Sequence, residues 1–356
     1  MVKKICFFTM GFAFNRLNRL KYYEKIFSEE TELYLFTTDK YKGKEKENYQ
    51  FNWDLKKTKI HVEKYDPLIL GIKLRKFCKK NKIERVINLG NWTGANFFLF
   101  NLFSKTDYLL NIFSNITSSN ETVFKKLTKK LLFSPLVIFS KKTIFNDYKN
   151  YKNYKNIFGN KIKYLPITID DNFFSNKGKI KTRRKLGLPL DKKIIIFVGR
   201  IDLSKGSDIL IDLIKKNKDY LFIVIGREID KNFKKIKKLR NLRYYESKGQ
   251  KELIDYYNSA DLGYFPQRIE GGLGMTTAEC LSCGTPSINR EREGIIGSKA
   301  LFKIEVNLEK TDEQIKRFFK KSEKNKKGLR KVAENYIKKN YSDTIWKEKY
   351  RREYLD

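Results

Sequence analysis

Residues 192–226 read KKIIIFVGRIDLSKGSDILIDLIKKNKDYLFIVIG, and their rhythm decides the fold. Residues 194–198 form an unbroken apolar run that stops at Gly199; a helical pattern follows over 205–216, and a second apolar run over 220–225 stops at Gly226. Short runs apolar at every position mark strands buried on both faces. A helix between two such strands is a crossover that makes them parallel.

The same rhythm extends in both directions. Downstream, strands are expected at LRYYE (242–246), DLGYFPQ (261–267) and TPSIN (285–289), with helices from Asp230, over 250–259 and over 274–282. Upstream, strands are expected at KKICFFT (3–9), ELYLFTT (32–38), KIHVEKY (59–65), RVINLG (85–90), YLLNIF (108–113), PLVIFS (135–140) and KIKYLPI (161–167). Helical patterns lie over 15–28, 68–81 and 121–133. Periodicity lapses over LPITIDDNFFSNKGK (165–179), where Pro, Asp, Asn and Gly cluster, so a linker is expected there. Three parts follow: a domain over 1–168, a second over 169–338, and a closing helix over 339–356 with Trp346 and Tyr350 on one face. The class is α/β, two doubly wound sheets facing a central cleft, with ligands at the carboxyl ends of the strands.

Composition narrows the function classes. With 356 residues, 40% hydrophobic and 14% aromatic, the chain has material for two cores, which excludes disordered and fibrous classes. The first apolar run breaks at Gly11, and the run over 131–139 is interrupted by Pro135 and falls short of a bilayer span, so a cytoplasmic location is expected. Cys6, Cys78, Cys280 and Cys283 form no disulfide framework, and the Cys280-x-x-Cys283 pair has no histidine cluster to complete a metal site. His61, the single histidine, falls in a strand pattern. The formal net charge of +36 favours anionic partners: phosphate-bearing substrates, an acidic membrane face or nucleic acid. The lysine-rich stretch 121–139 reads as a surface-seeking amphipathic segment or as a domain helix followed by a buried strand.

Two constellations carry chemistry. In FVGRIDLSKGSDIL (197–210), Arg200 and Lys205 bracket a loop leading into a helix, where free amides and the helix dipole suit a diphosphate. In EGGLGMTTAECLSCGTPSI (270–288), Gly271, Gly272 and Gly274 allow a tight turn into a helix, flanked by Glu270 and Glu279. Carboxylates beside a phosphate cradle suit the hydroxyls of a ribose and a hexose rather than phosphate.

With those residues in place, the chain resembles the retaining glycosyltransferases of family 4, the glycosyl transferases group 1, whose GT-B fold pairs two Rossmann-like domains. The resemblance rests on Gly199-Arg200 followed by Lys205-Gly206, on NSADLGYFPQ (258–267), and on the block from Glu270 to CGTPSI. It spans the second half well and the first half in layout only. It implies transfer of a sugar from a nucleoside-diphosphate donor, as co-substrate with no further cofactor, to a saccharide or lipid-linked acceptor, in cell-surface polysaccharide or glycolipid synthesis. It makes Arg200, Lys205 and Glu270 the catalytic group. Gly272, Gly274, Met275, Thr276 and Glu279 join them around the donor, Glu279 on the ribose. Eight residues separate Glu270 from Glu279 where the family has seven, so either the glycine turn bulges or Gly271 takes the first glutamate's place. Gly11, Asn91, Trp92 and Ser114, at strand ends in the first half, are the candidate acceptor contacts. No Asp-x-Asp follows a strand, so no metal is implied, and the charge suggests a peripheral position on the inner face of a membrane. The competing readings are a degenerate nucleotide-binding relative and a basic nucleic-acid-binding protein, for which no motif is present.

Overall fold

The computed structural model of the chain describes residues 2–9, 14–39, 55–66, 68–89, 106–112, 133–268 and 271–356. The chain divides into two compact units, Met1–Leu165 with Lys347–Asp356, and Pro166–Trp346. The sequence boundaries of 168/169 and 338/339 compare with these at 165/166 and 346/347.

The first unit is a seven-stranded parallel sheet in the order β3-β2-β1-β4-β5-β6-β7. Its strands are β1 (Lys4–Thr9), β2 (Glu32–Thr38), β3 (Thr58–Glu63), β4 (Arg85–Leu89), β5 (Asp107–Ile112), β6 (Lys142–Phe145) and β7 (Ile162–Tyr164). Helices α1 (Phe14–Phe27), α2 (Leu70–Asn81) and α3 (Tyr148–Phe158) pack beside it. The central strands are apolar along their length because both faces are covered: β4 is buried at every residue and β1, β2 and β5 at all but the first. His61 sits in β3, its ring against Phe36 and Phe77.

One strand expectation is overturned. PLVIFS is not a strand: residues 133–139 are helical, and the strand that follows is β6. Phe133, Leu136, Val137 and Ser140 are buried while Ile138 and Phe139 are about half exposed. That spacing of three, four and seven is helical. The amphipathic segment proposed upstream, 121–132, lies outside the described residues.

The second unit holds a six-stranded parallel sheet in the order β10-β9-β8-β11-β12-β13. Its strands are β8 (Lys193–Val198), β9 (Tyr220–Ile225), β10 (Leu242–Tyr245), β11 (Leu262–Phe265), β12 (Ser287–Arg290) and β13 (Leu301–Ile304). Around them lie α4 (Lys179–Lys185), α5 (Ser207–Lys216), α6 (Lys231–Lys234), α7 (Gln250–Ser259), α8 (Met275–Ser282), α9 (Leu308–Phe319) and α10 (Glu323–Asn340). Ile194, Ile196 and Val198 enter one core and Ile195 and Phe197 the other, so the two-residue period of a strand feeds two layers. Strand order reverses between β8 and β11, which makes the loops after those two strands the expected ligand-binding edge.

A last helix, α11 (Asp343–Leu355), starts in the second unit, and its final turns belong to the first. There Tyr350 and Tyr354 are fully buried against Tyr23, and Tyr354 also packs on Phe27. The buried Arg85 donates to the Tyr354 carbonyl at 2.7 Å and to Asp107 at 2.9 Å, which ties the chain end to β4.

Candidate functional site

At the switch point, β8 ends at Val198 and the chain turns through Gly199 and Arg200. Asp202 accepts from the Lys205 amide at 3.1 Å, shaping a single 3-10 turn over Leu203–Lys205. Gly206 has φ +76, and a Cβ there would stand 2.8 Å from Pro266 Cγ, so only glycine lets this turn press against the β11 exit. The exit is locked in return: the Arg268 amide donates to the Ser204 carbonyl at 2.8 Å, and its guanidinium grips both Asp208 oxygens at 2.7 Å.

Lys205 projects from this double loop. Its ammonium donates to Gln267 Oε1 at 2.7 Å, and among the described residues no carboxylate lies within ion-pair distance of it. Burial, then the neighbouring Arg200 and Arg292 charges, pull its pKa down to about 8, only partly offset by Asp202. A half-buried cation beside two others is a site short of negative charge. Arg200 is paired with Asp202 at 3.3 Å and remains 57% exposed, free to swing.

Gln267 joins this cation to the glycine turn. A Cβ at Gly274, where φ is +85, would fall 3.1 Å from Gln267 Nε2. Gly274 starts α8 with no side-chain cap and no acidic residue in the first turn, so the amides of Met275 and Thr276 lie at an uncompensated positive helix end. Gly272, Met275 and Thr276 are half-buried.

Further along α8, Glu279 is 5% exposed and accepts from the Tyr257 hydroxyl at 2.7 Å. Burial pushes its pKa up to about 7, and the tyrosine hydrogen bond opposes that rise. The Tyr257 hydroxyl is itself held well above its ordinary value by burial and by Glu279, so it stays a donor.

The structure thus brings Arg200, Lys205, Gly274 and the start of α8 to one edge. Glu270, Gly11, Asn91, Trp92 and Ser114 lie outside the described residues. Three contributors were missed in the sequence. Gln267 stood inside the quoted NSADLGYFPQ but has an unremarkable side chain. Tyr257 precedes that stretch and acts only through Glu279. Arg292, buried and donating to Asn289 at 3.1 Å, follows β12 in a loop where the string NREREG offered a signal at a strand end. Asn289 in turn donates to the Leu273 carbonyl at 3.2 Å, so Arg292 is tied to the glycine turn.

Residues Asp170 and Asp171 serve locally: the first accepts from the Asn172 and Phe173 amides and the second from Ser342. Cys280 and Cys283 are buried free thiols, the former pushed up to about 12 by burial. No helix among the described residues is long and apolar enough to cross a membrane.

The chain is similar to several known proteins. Residues 178–340 match the profile of the family described as Glycosyl transferases group 1. A Klebsiella pneumoniae protein described as an uncharacterized 41.2 kDa protein in the cps region is 30% identical over 230 residues, covering 61% of this chain and 62% of that protein. The D-inositol 3-phosphate glycosyltransferase of Xylanimonas cellulosilytica is 28% identical over 116 residues, 30% of this chain and 28% of that enzyme. The chain therefore matches less than two thirds of the length of either relative. Among solved structures, Anabaena HepE in complex with UDP and glucose superposes with a TM-score of 0.79 at 12% identity, covering 99% of each chain. A glycosyltransferase from Rickettsia africae superposes at 0.74 and 15% identity, covering 99% of this chain and 98% of that one. At such identities the likeness is one of fold, the two Rossmann-like units of the GT-B glycosyltransferases.

Proposed function

We propose that the chain, whose residues 178–340 match the glycosyl transferases group 1 profile, moves a sugar, with retention, from a nucleoside-diphosphate donor to a saccharide or lipid-linked acceptor. The observation that carries the reading is Lys205, a half-buried ammonium held by a neutral amide, flanked by the Arg200 and Arg292 charges and joined through Gln267 to the open start of α8.

In this reading the donor diphosphate lies against Lys205 and the amides of Met275 and Thr276, and the exposed Arg200 closes over it. As the bond from sugar to phosphate breaks, negative charge grows on the leaving diphosphate, and donors already aimed there stabilise it without reorganising. Glu279 accepts from the ribose hydroxyls, and Glu270 or the backbone at Gly271 and Gly272 holds the sugar. The acceptor hydroxyl attacks the face the diphosphate is leaving and passes its proton to a phosphate oxygen, so no protein base is required. Arg200, Lys205 and Arg292 meet the charge that a divalent ion meets in other transferases.

The cps-region relative favours cell-surface polysaccharide as the product class, and the +36 net charge favours work at an anionic membrane face where a lipid-linked acceptor lies. The test is a thermal-shift screen of nucleotide sugars, followed by product analysis in EDTA with the best donor. A ligand at a hundred times its Kd stabilises the fold by about 2.7 kcal/mol. The proposal is lost if no nucleotide sugar or free nucleoside diphosphate shifts the melting of the wild type.

A further inference from the structure

We propose that the second unit carries another anion site, at the opposite end of its sheet from Lys205, that binds a phosphate-bearing molecule. A cavity of about 320 Å³ opens there among the start of α4, the end of α9, the first turns of α10 and the turns entering β11 and β12. Those turns precede their strands, whereas the donor edge follows β8 and β11.

Five cations line the cavity, Lys179, Lys181, Lys326, Lys327 and Arg330, against two carboxylates, Asp261 and Glu323. Both carboxylates are already engaged. Asp261 is shared by Arg183 and Lys179, each at 2.7 Å, and also accepts from the Ile194 amide at 2.8 Å. Glu323 pairs with Lys326 at 2.9 Å. For Arg330, Lys181 and Lys327, no carboxylate lies within ion-pair distance among the described residues.

Arg330 is the fixed element. It donates to the carbonyls of Ala260, Asn258 and Cys283 at 3.1 to 3.3 Å, where α7 and α8 end. Those bonds hold the guanidinium rigid and use three of its five donors without neutralising its charge. Burial pulls its pKa down, and the charges of Asp261 and Glu334 offset part of that. Lys181 and Lys327 stand exposed at the mouth, able to fold onto a ligand that Arg330 and Lys179 anchor. Ile180, Pro286 and Phe318 add an apolar wall for the rest of the molecule. Cavities of about 300 Å³ and above hold small ligands, and a fixed guanidinium with mobile ammonium groups matches a phosphate or diphosphate. That chemistry is shared by soluble phosphate esters and by phospholipid headgroups.

The experiment titrates inorganic pyrophosphate by calorimetry into four proteins: wild type, Lys205→Ala, Lys181→Glu with Lys327→Glu, and all three substitutions together. The paired rim substitutions sit on exposed positions and should leave the fold intact, which circular dichroism checks. They should remove one binding event, or weaken it at least tenfold, on both the wild-type and the Lys205→Ala backgrounds. Because each comparison is with its own parent, failure of the donor-site reading at Lys205 does not mask the result. Unchanged titrations after the rim substitutions overturn the proposal. Co-sedimentation with phosphatidylglycerol vesicles assigns the source: loss of vesicle binding in the rim variant points to a lipid phosphate, and retained vesicle binding with lost pyrophosphate binding points to a soluble ester.

Discussion

The Tyr257 hydroxyl donates to Glu279 Oε2 at 2.7 Å across the α7–α8 packing, inside a core where the carboxyl has almost no water. A buried glutamate with one neutral donor is costly for the fold, which is reason to seek its use in ligand binding. If Glu279 must be ionised to accept ribose hydroxyls, kcat/KM rises with pH through about 7. The tyrosine bond opposes the burial effect, so Tyr257→Phe should raise the carboxyl's pKa and move that acid limb to higher pH. KM for the donor should rise about tenfold, the worth of a hydrogen bond to a charged group. A profile superimposable on the wild type would remove Tyr257 from the site.

Stability should change in the opposite sense. The folded value of about 7 lies above the unfolded one, so the folded state binds more protons between the two. The favourable contribution is present in full below the unfolded pKa and is lost as pH rises through about 7. Glu279→Gln keeps an acceptor for Tyr257 and removes the titration. At pH 8 it should stabilise the protein, relative to its effect at pH 4, by up to roughly 3 kcal/mol, while transfer falls at least a hundredfold. Urea unfolding at both pH values reads the difference, and an effect independent of pH would contradict a buried, titrating carboxyl.

For Lys205 the folded pKa of about 8 sets an alkaline limit, because the charged form is the one that grips phosphate. In the free enzyme kcat/KM should fall above pH 8. Once a diphosphate is bound its charge favours the ammonium, so the alkaline limb of kcat should lie higher than that of kcat/KM. Lys205→Met should lower kcat about a hundredfold to a thousandfold, the range for loss of one charge-stabilising donor. Activity that climbs steadily to pH 9.5 with no downturn in kcat/KM would mean Lys205 is not the donor ligand.

The legibility of these features follows from how local their signals are. Strands such as 194–198 announce themselves because both faces are buried, and the helix over 250–259 because its apolar positions recur at helical spacing. PLVIFS misled because a short apolar run has no period of its own; its helical spacing of burial shows only once Phe145 and Tyr154 are there to cover Phe133. Within the site, Lys205 and Glu279 were legible because glycines and helix starts mark their places. Gln267 and Tyr257 were not, since their roles arise from neighbours 62 and 22 residues away; Arg292 had a local signal in NREREG, but its role rests on Lys205, far along the chain.

The chain end gives the last prediction. Tyr354 packs its ring on Tyr23 and Phe27, its hydroxyl meets Asn111, and its carbonyl accepts from the buried Arg85. Removing only the hydroxyl, as in Tyr354→Phe, leaves Asn111 its 2.8 Å bond to the Tyr23 hydroxyl and should cost about 1 kcal/mol. Tyr354→Ala opens a cavity at the centre of the aromatic cluster and should cost about 3–5 kcal/mol. Deleting residues 347–356 also removes two carbonyl acceptors of the buried Arg85, leaving it Asp107 alone, and strips Tyr350 and Tyr354 from Tyr23, so the first unit should lose more stability than in Tyr354→Ala. Urea unfolding of the three variants, with pyrophosphate calorimetry as the control for the second unit, separates these outcomes. A deletion variant as stable as the wild type would show that the final turns of α11 are dispensable to the unit they close.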